Sequence, residues 1–198
     1  MPRALFTSRF VPTQVEELKA LTSLSDIRFM EQVHGNFVAV VDNQDTQTPT
    51  ADALVTTVKG IGLVVRSADC LPILISSELV VAAVHAGRKG VTNGIISATV
   101  SKMSELGGEN FQALIGPAIC GQCYEVEEVM YNEIISKFPA GATSQDKHAL
   151  DIGKMATFEL EAAGVNVTHH GFCTKENLDF YSYRRDKASG RQVGIITL

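Results

Sequence analysis

A cysteine and a histidine lie beside two short apolar segments that are close enough in the chain to form a β-hairpin. The segments, 72–76 and 79–84, are rich in β-branched and other apolar residues, and Ser77 and Glu78 separate them. A turn centred between these two residues sets Cys70 directly opposite His85. Opposed side chains share a face, with Cβ atoms about 4.5–5.5 Å apart. The pattern therefore predicts a thiol next to an imidazole.

Three roles are compatible with a thiol beside an imidazole. Both groups are common ligands of zinc and related metals. A cysteine paired with a histidine base is also the arrangement of cysteine nucleophiles. The third role is packing, with Cys70 as a small buried apolar residue and His85 as a hydrogen-bonded core residue. The pair alone does not decide between them.

The elements that must position this pair are strands mixed with helices. Residues 12–24 carry apolar residues at helical spacing, and the glycine-rich segment AGRKGVTNG after His85 leads into a helix that ends at Gly107 and Gly108. Further strands are predicted at 37–41, 61–66, 111–115, 165–168 and 192–197, and further helices at 127–138 and 150–163. This order predicts an α/β or α+β fold with layered mixed β-sheets flanked by helices, in a single domain over residues 1–198.

The composition excludes several classes of function. The chain has 198 residues and a net charge of −5, so it lacks the basic surface that nucleic-acid binding needs. No apolar run is long enough to cross a membrane, and the first residues do not resemble a signal peptide. We therefore expect a cytoplasmic protein, monomeric or a small homo-oligomer, with no nucleic-acid or membrane partner.

A series of motifs resembles one known family, the laccase-domain purine nucleoside phosphorylases, also called multicopper polyphenol oxidases or YfiH-type proteins. The motifs occur in unbroken order from residue 31 to the C-terminus: QVHG (32–35), ADALVT (51–56), ADC (68–70), VHAGRKG (84–90), IGPAI (115–119), CYEV (123–126) and FYSYRRD (180–186). The resemblance implies a fold like that of the cytotoxic necrotizing factor and YfiH-like cysteine hydrolases. Only about thirty residues precede QVHG, so the N-terminal segment is shorter than is usual in the family.

The resemblance also supplies the third member of the site. In that family the histidine of QVHG, the cysteine of ADC and the histidine of VHAG bind zinc, and here these residues are His34, Cys70 and His85. Three ligands with an open fourth position are typical of a catalytic zinc, which lowers the pKa of bound water towards about 7. Asp52 and Asp69 are candidates to orient a metal-bound histidine.

The family is reported to cleave purine nucleosides such as inosine, adenosine and 5′-methylthioadenosine with phosphate, and to deaminate adenosine. Phosphorolysis needs an anion site, and the segment 86–92 offers Arg88 and Lys89 beside two glycines. Arg184 and Arg185 are further cationic candidates. Gln32, two residues before the first histidine, is expected to line the site.

Other functions use the same residues. Without a metal, Cys70 and His85 would serve an amidohydrolase or deamidase, and a role in editing peptidoglycan precursors has been attached to bacterial relatives. Copper-dependent oxidation of phenols needs a multi-copper cluster with more than the five histidines present. A binding module with a relict site is the non-enzymatic alternative.

The remaining cysteines are predicted to pack rather than to react. Cys120 and Cys123 form a C-x-x-C, but the sequence contains no second pair that would complete a four-cysteine zinc site. Cys173 is predicted to pack in a strand-to-loop region.

Overall fold

The computed structural model describes residues 1–43, 47–144, 147–187 and 189–198. The strands are β1 (Arg3–Phe6), β2 (Asp26–Arg28), β3 (Val38–Val40), β4 (Ala53–Thr56), β5 (Ile61–Ser67), β6 (Leu71–Ser76), β7 (Val81–Ala86), β8 (Gln112–Ile115), β9 (Ala142–Ser144), β10 (Ala149–Leu150), β11 (Asn166–His169) and β12 (Gln192–Thr197). The helices are α1 (Val15–Thr22), α2 (Arg88–Thr92), α3 (Ile95–Glu105), α4 (Glu128–Lys137), α5 (Ile152–Ala162) and α6 (Tyr183–Asp186), and a 3₁₀ turn covers Pro139–Gly141. None of the helices in these ranges is long and apolar enough to cross a membrane.

The strands form two large mixed sheets that pack face to face between helices. One sheet has the order β1-β12-β5-β2 and the other the order β11-β8-β6-β7-β4-β3. Buried residues of both sheets, including Leu63, Leu74 and Ile196, form the core between them. Helices α3 and α5 cover the outer face of the larger sheet, while Leu18 of α1 packs against the outer face of the smaller one. These layered mixed sheets flanked by helices are the architecture predicted from the sequence.

The predicted hairpin exists, but its register differs from the predicted one by two residues. Strand β6 pairs antiparallel with β7 so that Pro72, not Cys70, lies opposite His85. The turn is centred on Glu78 and Leu79, because the Ser77 amide donates to the Val80 carbonyl at 2.9 Å. The Ser77 hydroxyl also accepts hydrogen bonds from the amides of Leu79 and Val80. A shift of two residues keeps the same side chains on the same face. Cys70, the residue immediately before β6, therefore still lies on the same face as His85.

The glycine-rich segment between β7 and the predicted helix is itself partly helical. Residues Arg88–Thr92 form the short helix α2, which begins directly after Gly87, and α3 follows after Gly94. Gly94 has a φ of 83°, a backbone conformation that favours glycine, and this lets the chain turn between the two helices. Arg88 and Lys89 consequently lie in the first turn of a helix whose start is fixed by the end of β7.

Candidate metal centre

A buried carboxylate fixes the side chain of His85. His85 is the next-to-last residue of β7, its side chain is buried, and its Nδ1 lies 2.7 Å from Oδ1 of the fully buried Asp52. Asp52 immediately precedes β4, the neighbour of β7 in the sheet. A carboxylate bonded to one ring nitrogen fixes the orientation of the imidazole and leaves Nε2 for another partner.

The same carboxylate shapes the segment that carries His34. Asp52 accepts hydrogen bonds from the amides of Val33, His34 and Gly35 at 3.3, 3.0 and 2.6 Å. His34 has a φ of 61°, a left-handed conformation that is uncommon outside glycine. The three amides together stabilise this tight curve. Asp52 therefore positions both histidines of the site.

Cys70 completes the group from the opposite side. Its Sγ lies 3.9 Å from Nε2 of His34, and the rings of His34 and His85 meet edge to face with centroids 4.8 Å apart. One ligand atom from each of the three residues lies within 4.8 Å of the others. Around a tetrahedral zinc, a sulfur and an imidazole nitrogen are about 3.6 Å apart. The three side chains thus fit one metal ion.

Proton affinities in this group are displaced in opposite directions. Burial disfavours the thiolate, but hydrogen bonds with His34 and His85 lower the pKa of Cys70 to about 6. Burial also disfavours the imidazolium, but hydrogen bonds with Asp52 and Cys70 raise the pKa of His85 to about 9. Burial is likewise outweighed at Asp52, whose pKa is lowered mainly by the His85 hydrogen bond. Without a metal, these two pKa shifts favour a thiolate beside an imidazolium at neutral pH.

The three residues lie in a cleft of about 970 Å³ that is rich in positive charge. Its cationic side chains are those of Arg66, Arg88, Lys89, Arg184, Lys187 and Arg191, against the carboxylates of Glu31 and Asp69. Because the whole chain carries a net charge of −5, this concentration of cations is local. Such a cleft attracts anionic ligands.

Arg88 and Lys89 reach the cleft with their charges uncommitted. Within the described ranges, neither side chain forms an ion pair with a carboxylate. The two residues predicted to bind phosphate therefore lie in the same cleft as the candidate metal ligands and have no carboxylate partner there. Arg184 also lines the cleft, but its Nη1 donates to the Glu125 carbonyl at 2.7 Å and its guanidinium lies over the Tyr124 ring.

Gln32 and Arg185 have structural contacts that the sequence does not reveal. Gln32 lines the cleft, but its side-chain amide exchanges hydrogen bonds with the backbone of Arg66 at 2.8 and 2.9 Å. The guanidinium of Arg185 donates to the carbonyls of Thr174 and Phe180 and pairs with Asp186. The Arg185 guanidinium is thus occupied by these partners, and the residue is not part of the cleft lining.

Asp69 positions Cys70 rather than a histidine. Its Oδ1 accepts from the Thr174 hydroxyl at 2.7 Å and its Oδ2 accepts from the Arg184 amide at 2.6 Å. Its φ of 87° bends the chain immediately before the cysteine. Of the two aspartates considered, only Asp52 orients a histidine.

Several residues that line the cleft are not predicted from the sequence. Tyr124, Tyr183, Lys187 and Arg191 form part of its wall but lie far along the chain from the candidate metal ligands. The motifs CYEV and FYSYRRD contain the two tyrosines and were the available signal.

Comparison with known proteins decides the family. The model of the family described as multi-copper polyphenol oxidoreductase laccase matches residues 9–198. The chain belongs to this family. This match confirms the family membership that the motifs predict. The matched range includes the segments that carry all three candidate ligands.

Several proteins of similar sequence are named purine nucleoside phosphorylases, and two of them come from Streptomyces. The protein of Streptomyces griseus is 42% identical over 180 residues, which cover 86% of this chain and 73% of that protein. The protein of Streptomyces coelicolor is 42% identical over 179 residues, which cover 86% of this chain and 74% of that protein. Among solved structures, protein NMB0706 of Neisseria meningitidis has a TM-score of 0.84 and 27% identity, covering 100% of this chain and 94% of that one. Family and fold therefore agree.

Proposed function

We propose that this protein is a zinc-dependent purine nucleoside phosphorylase that also deaminates adenosine. The observation that carries the proposal is the group His34, Cys70 and His85, braced by Asp52, within a cationic cleft. Relatives that are 42% identical and carry the name purine nucleoside phosphorylase support the substrate class. Inosine, adenosine and 5′-methylthioadenosine are the proposed nucleosides, with phosphate as co-substrate.

His34, Cys70 and His85 would hold the zinc, and Asp52 keeps the His85 ring in the orientation that presents Nε2. When bound, zinc supplies Lewis acidity that polarises oxygen-containing groups and activates water. A zinc ion held by two imidazoles and one thiol would keep a coordination position for a substrate group, as in catalytic zinc sites.

The cleft walls supply the binding chemistry. Phosphorolysis forms a bond between a phosphate oxygen and C1′ of the ribose while the bond from C1′ to the purine nitrogen breaks. The cations of Arg88 and Lys89 hold and orient the phosphate, because charged donors form the strongest hydrogen bonds to its oxygens. Tyr183 is half exposed and lines the cleft, and the face of its ring that Lys187 does not cover is a candidate surface for purine stacking.

The decisive experiment measures hypoxanthine release from inosine and phosphate. We expect zinc-loaded protein to be active, chelated protein to be inactive, and readded zinc to restore turnover. His34→Ala removes one ligand and abolishes turnover, whereas His169→Ala serves as the matched control because that ring bonds Thr157 away from the cleft. A chelated protein with full phosphorolytic activity would disprove the zinc mechanism.

A cysteine hydrolase is the second candidate, favoured by one geometric observation. Asp52, His85 and Cys70 form a line of contacts in the order of orienting carboxylate, base and nucleophile. In this case, metal-free protein would hydrolyse or deamidate an amide, and alkylation of Cys70 would stop it. Activity that is present with zinc and lost in every chelated preparation would exclude this candidate.

Copper-dependent phenol oxidation has less support. Within the described part of the chain, the two groups able to hold a metal contain only two histidines between them. A multi-copper cluster needs more imidazole ligands than this.

A further inference from the structure

A second group of metal-ligating side chains lies outside the histidine-containing centre. Cys120, Cys123, Cys173 and Glu176 each place one ligand atom within 4.8 Å of the other three. Around a tetrahedral zinc the sulfur atoms are about 3.8 Å apart, so small side-chain adjustments bring these four atoms onto one ion. We propose that this cluster is a second metal centre that binds zinc and has a structural role.

The spacing of the four residues is that of a structural zinc site. Cys120 and Cys123 are separated by two residues, and so are Cys173 and Glu176. Pairs spaced in this way, on two separate turns, are typical of closed four-ligand zinc sites. The sequence alone shows only the first pair as a C-x-x-C, because the second ends in a carboxylate and lies fifty residues further along. The prediction that these cysteines merely pack is therefore revised here.

Backbone hydrogen bonds hold the two turns side by side. Ala118 and Cys173 form an isolated parallel bridge, in which the Thr174 amide donates to the Ala118 carbonyl at 3.0 Å. The Cys123 amide donates to the Cys120 carbonyl at 3.0 Å, which closes the first turn. The Asn177 amide donates to the Cys173 carbonyl at 2.9 Å, which closes the second. The four side chains are thus brought together by backbone already in place.

Two details favour a cation over simple packing. The Cys120 amide donates a hydrogen bond to Cys173 Sγ at 3.4 Å, so the sulfur of the second turn is bonded directly to the first turn. Glu176 places a carboxylate against three thiols, and within the described ranges no lysine, arginine or histidine forms an ion pair with it. A divalent cation would displace the thiol protons and bind the sulfurs together with the Glu176 carboxylate, whose charge it would neutralise.

The second centre lies directly behind the wall of the cleft. Thr174, next to Cys173, donates to the carboxylate of Asp69, which precedes Cys70. Tyr124, next to Cys123, lies under the guanidinium of Arg184 in the cleft. Cys120 and Cys173 also line a separate cavity of about 600 Å³, which offers a path for the ion. A metal at this centre would cross-link the two turns. One turn leads into Tyr124, and the other contains Thr174, which bonds Asp69.

Cobalt substitution tests the proposal without depending on enzymatic activity. Chelated protein is titrated with Co²⁺, and thiolate-to-cobalt absorption in the near ultraviolet is recorded. Cys70→Ser leaves the proposed centre with three thiolates, while Cys123→Ser leaves the histidine-containing centre with one. Because this absorption grows with the number of thiolates, we expect about threefold stronger absorption per bound cobalt in Cys70→Ser. We also expect about two zinc ions per wild-type chain and about one in each variant.

Glu176→Gln is the second test variant, because its exposed side chain can change without disturbing the core. It should weaken cobalt binding in the Cys70→Ser background and leave binding at the histidine-containing centre unchanged. Zinc should also raise the melting temperature of Cys70→Ser but not that of Cys70→Ser/Cys123→Ser. Two results would overturn the proposal: no thiolate–cobalt absorption in reduced Cys70→Ser, or a disulfide among these cysteines in protein purified without oxidant. Neither result bears on phosphorolysis.

Discussion

Oδ1 of Asp52 lies 2.7 Å from Nδ1 of His85, and both side chains are buried. The same carboxylate accepts three amides from the segment that carries His34. One residue therefore sets the imidazole orientation of one ligand and the backbone curve of another. The placement of His34 and His85 relative to each other therefore depends on Asp52, which is not itself one of the candidate metal ligands.

Asp52→Asn tests this positioning role. The amide keeps the shape of the side chain but replaces one accepting oxygen with a donor, so it cannot satisfy both His85 and the facing amides. Loss of such a partner lowers metal affinity by about 10- to 100-fold, and we expect a fall of this size in zinc affinity, measured by competition with a chromophoric chelator. Asp26→Asn is the matched control, since that carboxylate pairs with Arg28 outside the cleft. Equal affinities in all three proteins would contradict the role.

The acidity of Cys70 gives a prediction about pH. In metal-free protein, site-resolved alkylation by iodoacetamide should rise with pH around a midpoint of about 6, the lowered pKa of this thiol. Cys123 should stay unreactive through neutral pH, because burial and its neighbouring thiols raise its pKa to about 12. Bound zinc should protect Cys70. A midpoint at the ordinary cysteine value of 9.0 would show that His34 and His85 do not stabilise the thiolate.

The hairpin shows how far sequence patterns carry. Apolar composition located both strands, and period-two alternation kept Cys70 on the face of His85. The exact register was wrong because Leu79 was counted as part of a strand, whereas it is exposed in the turn that the Ser77 hydroxyl organises. An apolar residue in a turn leaves no mark in composition, since the local hydrogen bonds of one serine decide its place.

The rest of the site depends on contacts between distant parts of the chain. The second metal cluster needs the bridge between Ala118 and Cys173, which no local periodicity predicts. The commitment of Arg185 to backbone carbonyls is equally invisible in a sequence where it stands next to Arg184. Motifs can nominate residues of the correct chemical type, but the available partners decide which of them are free to bind a ligand.

Arg88 and Lys89 should separate the two proposed reactions. Removing both charges with Arg88→Ala/Lys89→Ala should raise the KM for phosphate by about 10-fold or more, because hydrogen bonds to charged groups contribute about 1.5–3 kcal/mol each. Adenosine deamination should fall much less, since it uses no phosphate. Steady-state assays of both reactions measure the split, with Lys59→Ala as a control for loss of a surface charge outside the cleft. If Arg184→Ala instead raises the phosphate KM and the double variant does not, the phosphate lies against Arg184.

Gly87 should contribute to metal binding, although it has no side chain. A Cβ at this position would lie 3.0 Å from Sγ of Cys70 and 3.2 Å from Cδ2 of His34, closer than ordinary contacts allow. The backbone φ of −72° is accessible to alanine, so the cost falls on the two ligands and not on the chain. We expect Gly87→Ala to lower zinc affinity by about tenfold, as displaced ligand geometry does, and to leave the melting temperature of metal-free protein nearly unchanged. Gly153→Ala, whose Cβ would approach Asp151 outside the cleft, is the matched substitution and should keep wild-type zinc affinity. Unchanged affinity in Gly87→Ala would mean that Cys70 and His34 can move apart without losing the ion, and the close approach of this backbone would then have no part in the metal centre.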